Sequence, residues 1–571
     1  MSITPTPNLP PVSPANTLPT APAPQPPIVI SSKATWYYGP DRPIDFLYFS
    51  AHSKLTPEQN RDDKSYKVYT NTDILRHDQN VKIYQEITYA SKDGNPVNAG
   101  GNELVIETGD SADKVLIKKG PDHSLIATIN GKPYQLNLVP QYENEPLPLR
   151  IRTKGGDDHV LVAPDVKNNI RIELGDGNDL AQAGSGTSRL YGGKGNDLIK
   201  LGSGNGIAFG GDGDDTLIAG SGNGILKGGN GNDRLQAGAG LPGRRLFMDG
   251  GDGHDFMITT RNDSKHPTIM HAGKGDNLVV AHGPATIYTG RDKNIVRSDS
   301  DETVIYAKPT DEIHRTSGSS LVHSIPDESG KSGYLVEGSP EFRQNVEEDM
   351  ELLRMSAQGR GMLGAADTMA RRNDSPVRVV ESMADGATYA FSNTAVREHL
   401  AAGKSLHTLV PEARGSIAHN QRGAVATGAE ITYNPSFAPE QATTPVNILY
   451  HEMAHAYNGA TGTELQGFTD GEPNDERQAV GLPTNAQPFD FDDHRATPLL
   501  RPIQSPLQKM RSGKKCVFHY VPGTTIRPSR RPIRPDSGTP RPTHPTPTQP
   551  NETSHWPPES RSRSRSASAL P

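Results

Sequence analysis

The sequence is short of cysteine, of apolar residues and of long hydrophobic runs. Its single cysteine, Cys516, leaves no intramolecular disulfide possible in 571 residues, so stability outside a cell has to come from another source, such as bound metal. A Cys-poor chain also suits export routes that thread an unfolded polypeptide. Apolar residues make up only 33% of the chain, low for one folded from end to end. No run approaches the roughly eighteen continuous apolar residues of a membrane helix, which argues against a membrane span. The opening segment MSITPTPNLPPVSP lacks the basic start and apolar stretch of a Sec signal, so export, if it occurs, is expected by a non-Sec route. The formal net charge of -7 speaks against a general nucleic-acid binder.

What the chain does have is unevenly spread. Proline (49) crowds both ends and glycine (58) crowds the middle. Residues 1–34, rich in Pro, Thr and Ala, and residues 523–571, rich in Pro, Ser and Arg, cannot bury enough apolar surface to offset chain entropy and are expected to be disordered. Residues 35–150 alternate aromatic and β-branched runs with turn signals such as Asp93-Gly94-Asn95-Pro96, which reads as a β-rich lead-in.

Residues 151–300 form a repeat array. LGDGNDLAQ, GGKGNDLIK, GGDGDDTLI and GGNGNDRLQ align without gaps, and their aspartates, Asp179, Asp197, Asp215 and Asp233, fall eighteen residues apart. Looser copies surround Asp158, Asp255 and Asp276. Eighteen is two nonapeptides. The intervening ones, LGSGNGIAF and AGSGNGILK, keep the glycines but carry Gly206 and Gly224 where Asp is expected. This pattern resembles the RTX or haemolysin-type repeat, GGxGxDxUx, and the resemblance implies a parallel β-roll. Carboxylates and turn carbonyls then form oxygen cages for calcium, a hard cation. Successive nonapeptides of such a roll turn on opposite sides, so the four aspartates are expected in one row, with calcium between neighbours and the Gly-Ser-Gly-Asn-Gly turns on the other side.

The repeats fade beyond Ser298, and 301–338 reads as a connector. In 339–522 the pattern turns helical. Ser339-Pro340 has the form of an N-cap with proline at the first helical position, and Phe342, Val346, Met350 and Leu353 follow on one face. Short strands are expected near Val377–Val380 and Glu430–Tyr433. A helix is expected from Thr444-Pro445 to Tyr457, ending at Asn458-Gly459.

That last helix carries His451-Glu452-Met453-Ala454-His455. Chance would supply roughly 0.03 copies of HExxH in a chain of this composition. Histidines four apart project from one helix face and can share one zinc ion. Glu452 can take a proton from a metal-polarised water and later deliver it to a leaving amine. A third ligand is sought among Glu464, Asp470, Glu472, Asp475 and Glu476. Glu476 is favoured, because twenty-one residues allow the chain to turn at the glycines and return as a second helix.

The runs LYHEMAHAYN and NDERQAVGLP, with the preceding Glu430-Ile431-Thr432-Tyr433-Asn434-Pro435, resemble NleD-type effector metallopeptidases of Gram-negative bacteria over roughly residues 340–495. The resemblance implies a zinc endopeptidase with His451 and His455 as ligands and Glu452 as base. It also implies a protein substrate, a host signalling protein in some members, and delivery into a host cell. The segment Ser505–Tyr520 departs from the family pattern. Tyr433, Tyr457 and Arg477 stand as candidates to stabilise the oxyanion. The expected architecture is multidomain: a parallel β-roll or β-solenoid of nonapeptide repeats, then an α+β zincin-like metallopeptidase domain, between disordered termini. The competing reading is a calcium-dependent scaffold or adhesin with an inactive peptidase-like end.

Overall fold

The computed structural model describes residues 26–32, 66–92, 95–138, 147–241, 243–260, 266–382, 386–404, 408–419, 421–436 and 444–485. The tail 523–571 and the departing segment 505–520 lie outside these residues. Two sheets of thirteen strands each stack into a β-solenoid, with about nine turns over residues 149–323.

Each eighteen-residue turn contributes one strand to each sheet. Ser188–Lys194, Gly206–Asp212 and Gly224–Asn230 pair in parallel in one sheet. The three-residue strands Leu198–Lys200, Thr216–Ile218 and Arg234–Gln236 pair in parallel in the other. The eighteen-residue period keeps register from Ser188 to Gln236, and the next turn absorbs four extra residues without losing it, so like residues stack on like. Leu190, Ala208, Leu226 and Met248 form one inward column. Ile199, Leu217, Leu235 and Met257 face them from the second sheet, and all eight are shut off from solvent. Gly211, at φ 119°, shows why the turns need glycine: a side chain there would collide with the Gly193 carbonyl of the turn below.

The lead-in builds the cap of this solenoid. Tyr66–Asp78, Val81–Lys92 and Asn95–Glu107 form an antiparallel meander, and Asn95–Glu107 then pairs in parallel with Leu149–Arg152 to start the roll. Two expectations need correction. Ile28–Ser31, inside the stretch expected to be disordered, pairs in parallel with Lys132–Asn137, because its Ile-Val-Ile run buries Ile30 against the cap. The span 301–338, expected as a connector, carries Val304–Ala307, Glu312–Arg315 and Ser320–His323, which continue both sheets. There the Gly/Asp turn signature is gone, but Ile305 and Ala307 still supply the inward column.

A mixed α/β region follows. Its four-stranded sheet has the order Tyr334–Glu337, Val377–Glu381, Gly428–Tyr433, Ala387–Ser392, with only the last strand antiparallel. Helix α1 (Pro340–Arg354) starts as its sequence indicates, with the Ser339 hydroxyl accepting from the Phe342 amide at 3.1 Å. Helix α2 (Ala357–Asn373) has no counterpart in the sequence reading; Ser356 caps it, and Gly359 lies so close to the Leu353 carbonyl that a side chain would not fit. Helix α3 (Thr394–Ala401) is short. Helix α4 (Pro445–Thr461) runs past the expected stop at Asn458-Gly459 and ends at Gly462, φ 66°. Gly459 is tolerated inside it because Tyr389 and Phe391 fill the space beside its Cα. Helix α5 (Asn474–Ala479) is the expected returning helix.

Candidate metal centres

The aspartate turns make a continuous ladder. Asp215 Oδ1 accepts from the Asp197 amide at 2.7 Å, Asp197 Oδ1 from Asp179 at 2.8 Å, and Asp233 Oδ1 from Asp215 at 2.8 Å. The loose copies join at both ends: Asp179 Oδ1 accepts from Asp158 at 2.7 Å, and Asp255 Oδ1 from Asp233 at 2.9 Å. Every second oxygen, the Oδ2 of Asp158, Asp179, Asp197, Asp215, Asp233 and Asp255, is buried with no hydrogen-bond partner among the described residues. Burial, reinforced by the Asp179 carboxylate, pushes Asp197 to about 7, and burial with the Asp233 and Asp197 carboxylates on either side pushes Asp215 to about 8. Burial and the exposed Asp214 carboxylate push Asp233 to about 7, and Asp179 is also raised by burial. A stack of orphaned oxygens is what a hard cation needs. The glycines leave the cradle open: a Cβ at Gly210 would collide with Asp215 Oδ2 and the Gly228 carbonyl. The opposite turns, with Ser203, Gly204, Asn205, Ser221, Gly222 and Asn223, line a shallow polar groove and satisfy themselves, as in the Asn223 to Asn205 bond of 3.1 Å.

The second centre joins α4 to α5. His451 Nε2 and His455 Nε2 lie 3.1 Å apart. Glu476 brings Oε2 to 3.0 Å from His451 Nε2 and Oε1 to 3.7 Å from His455 Nε2. Four ligands about 2.05 Å from a tetrahedral zinc stand about 3.3 Å from one another, so these separations fit one ion. Both imidazoles are buried. Burial pushes the Glu476 carboxyl up, but the two imidazoles outweigh it and hold the group down at about 2. Burial works against the His455 cation, yet Glu476 and the neighbouring acids prevail and raise it to about 9. Glu452 is also buried; desolvation and the Glu476 charge lift it to about 7, against the pull of His455. Among the described residues this is the one group of three or more His, Cys, Asp or Glu side chains whose ligand atoms all lie within 4.8 Å of one another.

Residues 330–510 match the Peptidase_M91 family model, described as an effector protein. Residues 174–208 and 209–240 match the RTX calcium-binding nonapeptide repeat in its four-copy form. No curated protein and no solved structure matches the chain. The fusion of an M91 effector segment to RTX repeats is the one the sequence resemblance implied. Both families are typical of secreted proteins, and no described helix is long and apolar enough to cross a membrane.

Within the M91 segment, the other third-ligand candidates are engaged elsewhere. Glu464 accepts from the Ser416 hydroxyl at 3.1 Å. Glu472 pairs with Arg477 at 3.1 Å, and Asp470 is exposed. Asp475 stands in the first turn of α5 beside Glu476, outside the His-His-Glu group. Two oxyanion candidates are also committed: the Tyr433 hydroxyl donates to Asp349 at 2.7 Å, and Arg477 donates to Glu472 and to the Pro483 carbonyl. Tyr457 packs against the helical core. Tyr389, which the sequence reading passed over, stacks on the His455 ring with centroids 6.2 Å apart and 9° between planes. Its only signal is the alternation of Ala387–Ser392, which does not single out one residue.

Proposed function

We propose that this chain is a secreted zinc endopeptidase of the HExxH type that cuts a protein substrate and carries a calcium-stabilised β-roll. The observation that carries the reading is the convergence of His451 Nε2, His455 Nε2 and the Glu476 carboxylate within 3.7 Å, with Glu452 buried on the next helix position. A zinc ion bound there supplies a Lewis acid that polarises the scissile carbonyl and activates water near neutral pH.

The chain's own residues do the rest. Rigid α4 fixes the two imidazoles on one face, and α5 brings Glu476 across to them, so the donor set needs little reorganisation. His451 and His455 would hold a zinc ion as neutral imidazoles, so zinc uptake would be favoured as pH rises through their titration. Glu452, held near neutrality by its burial, is poised both to accept a proton from the attacking water and to hand it to the leaving amine. Tyr389 lies parallel to the His455 ring, with centroids 6.2 Å apart.

In the roll, Asp179, Asp197, Asp215 and Asp233 supply the calcium oxygens, and the row extends to Asp158 and Asp255. The effector match favours a protein substrate outside the producing cell, with a host signalling protein as the partner class, reached by a non-Sec route. The test is cleavage of a host-protein extract by the purified zinc-loaded chain and its Glu452→Gln variant. The variant is expected to keep its zinc and lose roughly a hundred- to ten-thousand-fold in rate. Equal cleavage by both proteins would overturn the reading.

A further inference from the structure

The roll has an unusual outer face. Along one sheet, Phe209, Lys227, Asp249, His271 and Tyr288 stand in register on successive strands. Lys227, Asp249 and His271 are buried although they point away from the roll's own core. The neighbouring column, Ile207, Ile225, Phe247 and Ile269, belongs to the same hydrophobic cluster as Phe342, Val346, Met350 and Leu353 of α1. Helix α1 therefore lies on the roll, and its apolar face is shared between the two regions.

The polar contacts of this interface are specific. The Lys227 ammonium donates to Asn345 Oδ1 at 3.1 Å and Asp349 Oδ1 at 3.2 Å, with Glu348 3.6 Å away. Asp349 also accepts the Tyr433 hydroxyl at 2.7 Å, which ties the contact to the central sheet beside α4. Asp249 and His271 pair at 2.8 Å under the same helix. At the far end, Arg291 donates to Glu351 at 2.7 Å.

The docking row is contiguous with the aspartate turns. Lys227 is followed by Gly228, whose Cα faces Asp233 Oδ2, and Asp249 by Gly250, whose Cα faces Asp255 Oδ2. One turn residue touches the helix directly: Asn230 and Gln344 exchange two amide hydrogen bonds, of 2.9 and 3.2 Å. A cation that fixes the Gly228–Asp233 turn thus fixes Lys227 and Asn230, the residues on which α1 sits.

We propose that calcium bound in the turns of Asp215, Asp233 and Asp255 seats α1, and through Asp349 and Tyr433 orders the peptidase region, so that calcium switches its activity. The link to activity rests on the peptidase reading above; the seating of α1 does not. Without calcium, the buried Oδ2 atoms of Asp215, Asp233 and Asp255 have no hydrogen-bond partner among the described residues, the turns are less stable, and α1 loses the surface that covers its apolar face. The enzyme is then on in calcium-rich surroundings and off in calcium-poor ones.

The test is hydrogen exchange of the full chain, zinc supplied throughout, across a calcium titration, with zinc content and cleavage measured on the same samples. Amides of α1 and α4 are expected to slow by about tenfold or more over the calcium range that protects the roll. The Asp233→Asn variant should move the α1 transition to higher calcium, and Asp158→Asn, whose turn lies away from α1, should move it less. If Asp233→Asn fails to fold, the wild-type titration and Asp158→Asn still decide. Roll amides that respond while α1 and α4 do not would overturn the proposal, as would a roll indifferent to calcium. An α1 that responds in a chain that binds zinc but never cleaves supports the seating and counts against the peptidase reading alone.

Discussion

The two candidate metal centres solve opposite problems. The roll repeats one local rule many times: each turn offers a buried carboxylate to the next, and neighbours only eighteen residues away complete the cage. The His-His-Glu centre occurs once among the described residues and is tertiary, drawing two imidazoles from α4 and a carboxylate from α5. A repeated site degrades in steps when one member is lost, whereas a unique site fails at once. The roll therefore suits a stabilising role and the His-His-Glu centre a catalytic one.

The sharpest way to break that comparison is one substitution in each region. His455→Ala is expected to remove zinc and all measurable cleavage while the calcium response of the roll persists. Asp215→Asn should leave zinc in place, remove its share of the calcium stabilisation and move the seating of α1 to higher calcium. That share is about 2.7 kcal/mol per lost site at calcium a hundredfold above Kd, read from thermal unfolding. Complete collapse of the roll from Asp215→Asn would mean that the row is not modular.

A second difference concerns pH. In the calcium-free roll, the carboxyls of Asp197, Asp215 and Asp233 sit at about 7 to 8, far above about 3.9 in the unfolded chain. The folded state then binds more protons than the unfolded one, so stability falls as pH rises from about 4 to about 8. Calcium requires the ionised carboxylates and reverses the trend. The melting temperature of the calcium-free chain should fall between about pH 5.5 and pH 8, and calcium should raise it most at the alkaline end. A melting temperature that rises over that range without calcium would contradict the burial of these groups.

The smallest expected effect concerns the start of α1, the helix that lies on the roll. Ser339 caps α1 and also bonds Glu381 through its amide, at 2.7 Å, and its hydroxyl, at 3.1 Å. Ser339→Ala should cost about 1 kcal/mol in denaturant unfolding and leave the zinc content unchanged.

The same contrast explains what could be read in the sequence. The roll was legible because register, core column and turn chemistry recur with a constant period. The limits of the array were less so: the strands of 301–323 keep inward apolar residues but drop the Gly/Asp turns that made the rest visible. In the M91 segment, His451 and His455 were legible because i, i+4 spacing is itself a geometry. Glu476 was favoured over four other acids on spacing, and α5 does return at that point. Helix α2 was hidden by Gly359, Gly361 and Gly364, which dilute its helical pattern. The seating of α1 was hidden for another reason: Lys227 and Asp349 are 122 residues apart, and no local pattern pairs a charge on a strand with one on a distant helix.

The most direct test of the zinc centre is the metal content of the purified chain and of two variants in adjacent positions, Glu476→Gln and Asp475→Asn. One zinc per chain in the wild type, retained in Asp475→Asn and lost or sharply weakened in Glu476→Gln, is the predicted result. Zinc that survives Glu476→Gln but not Asp475→Asn, or no zinc in any of the three, would contradict it.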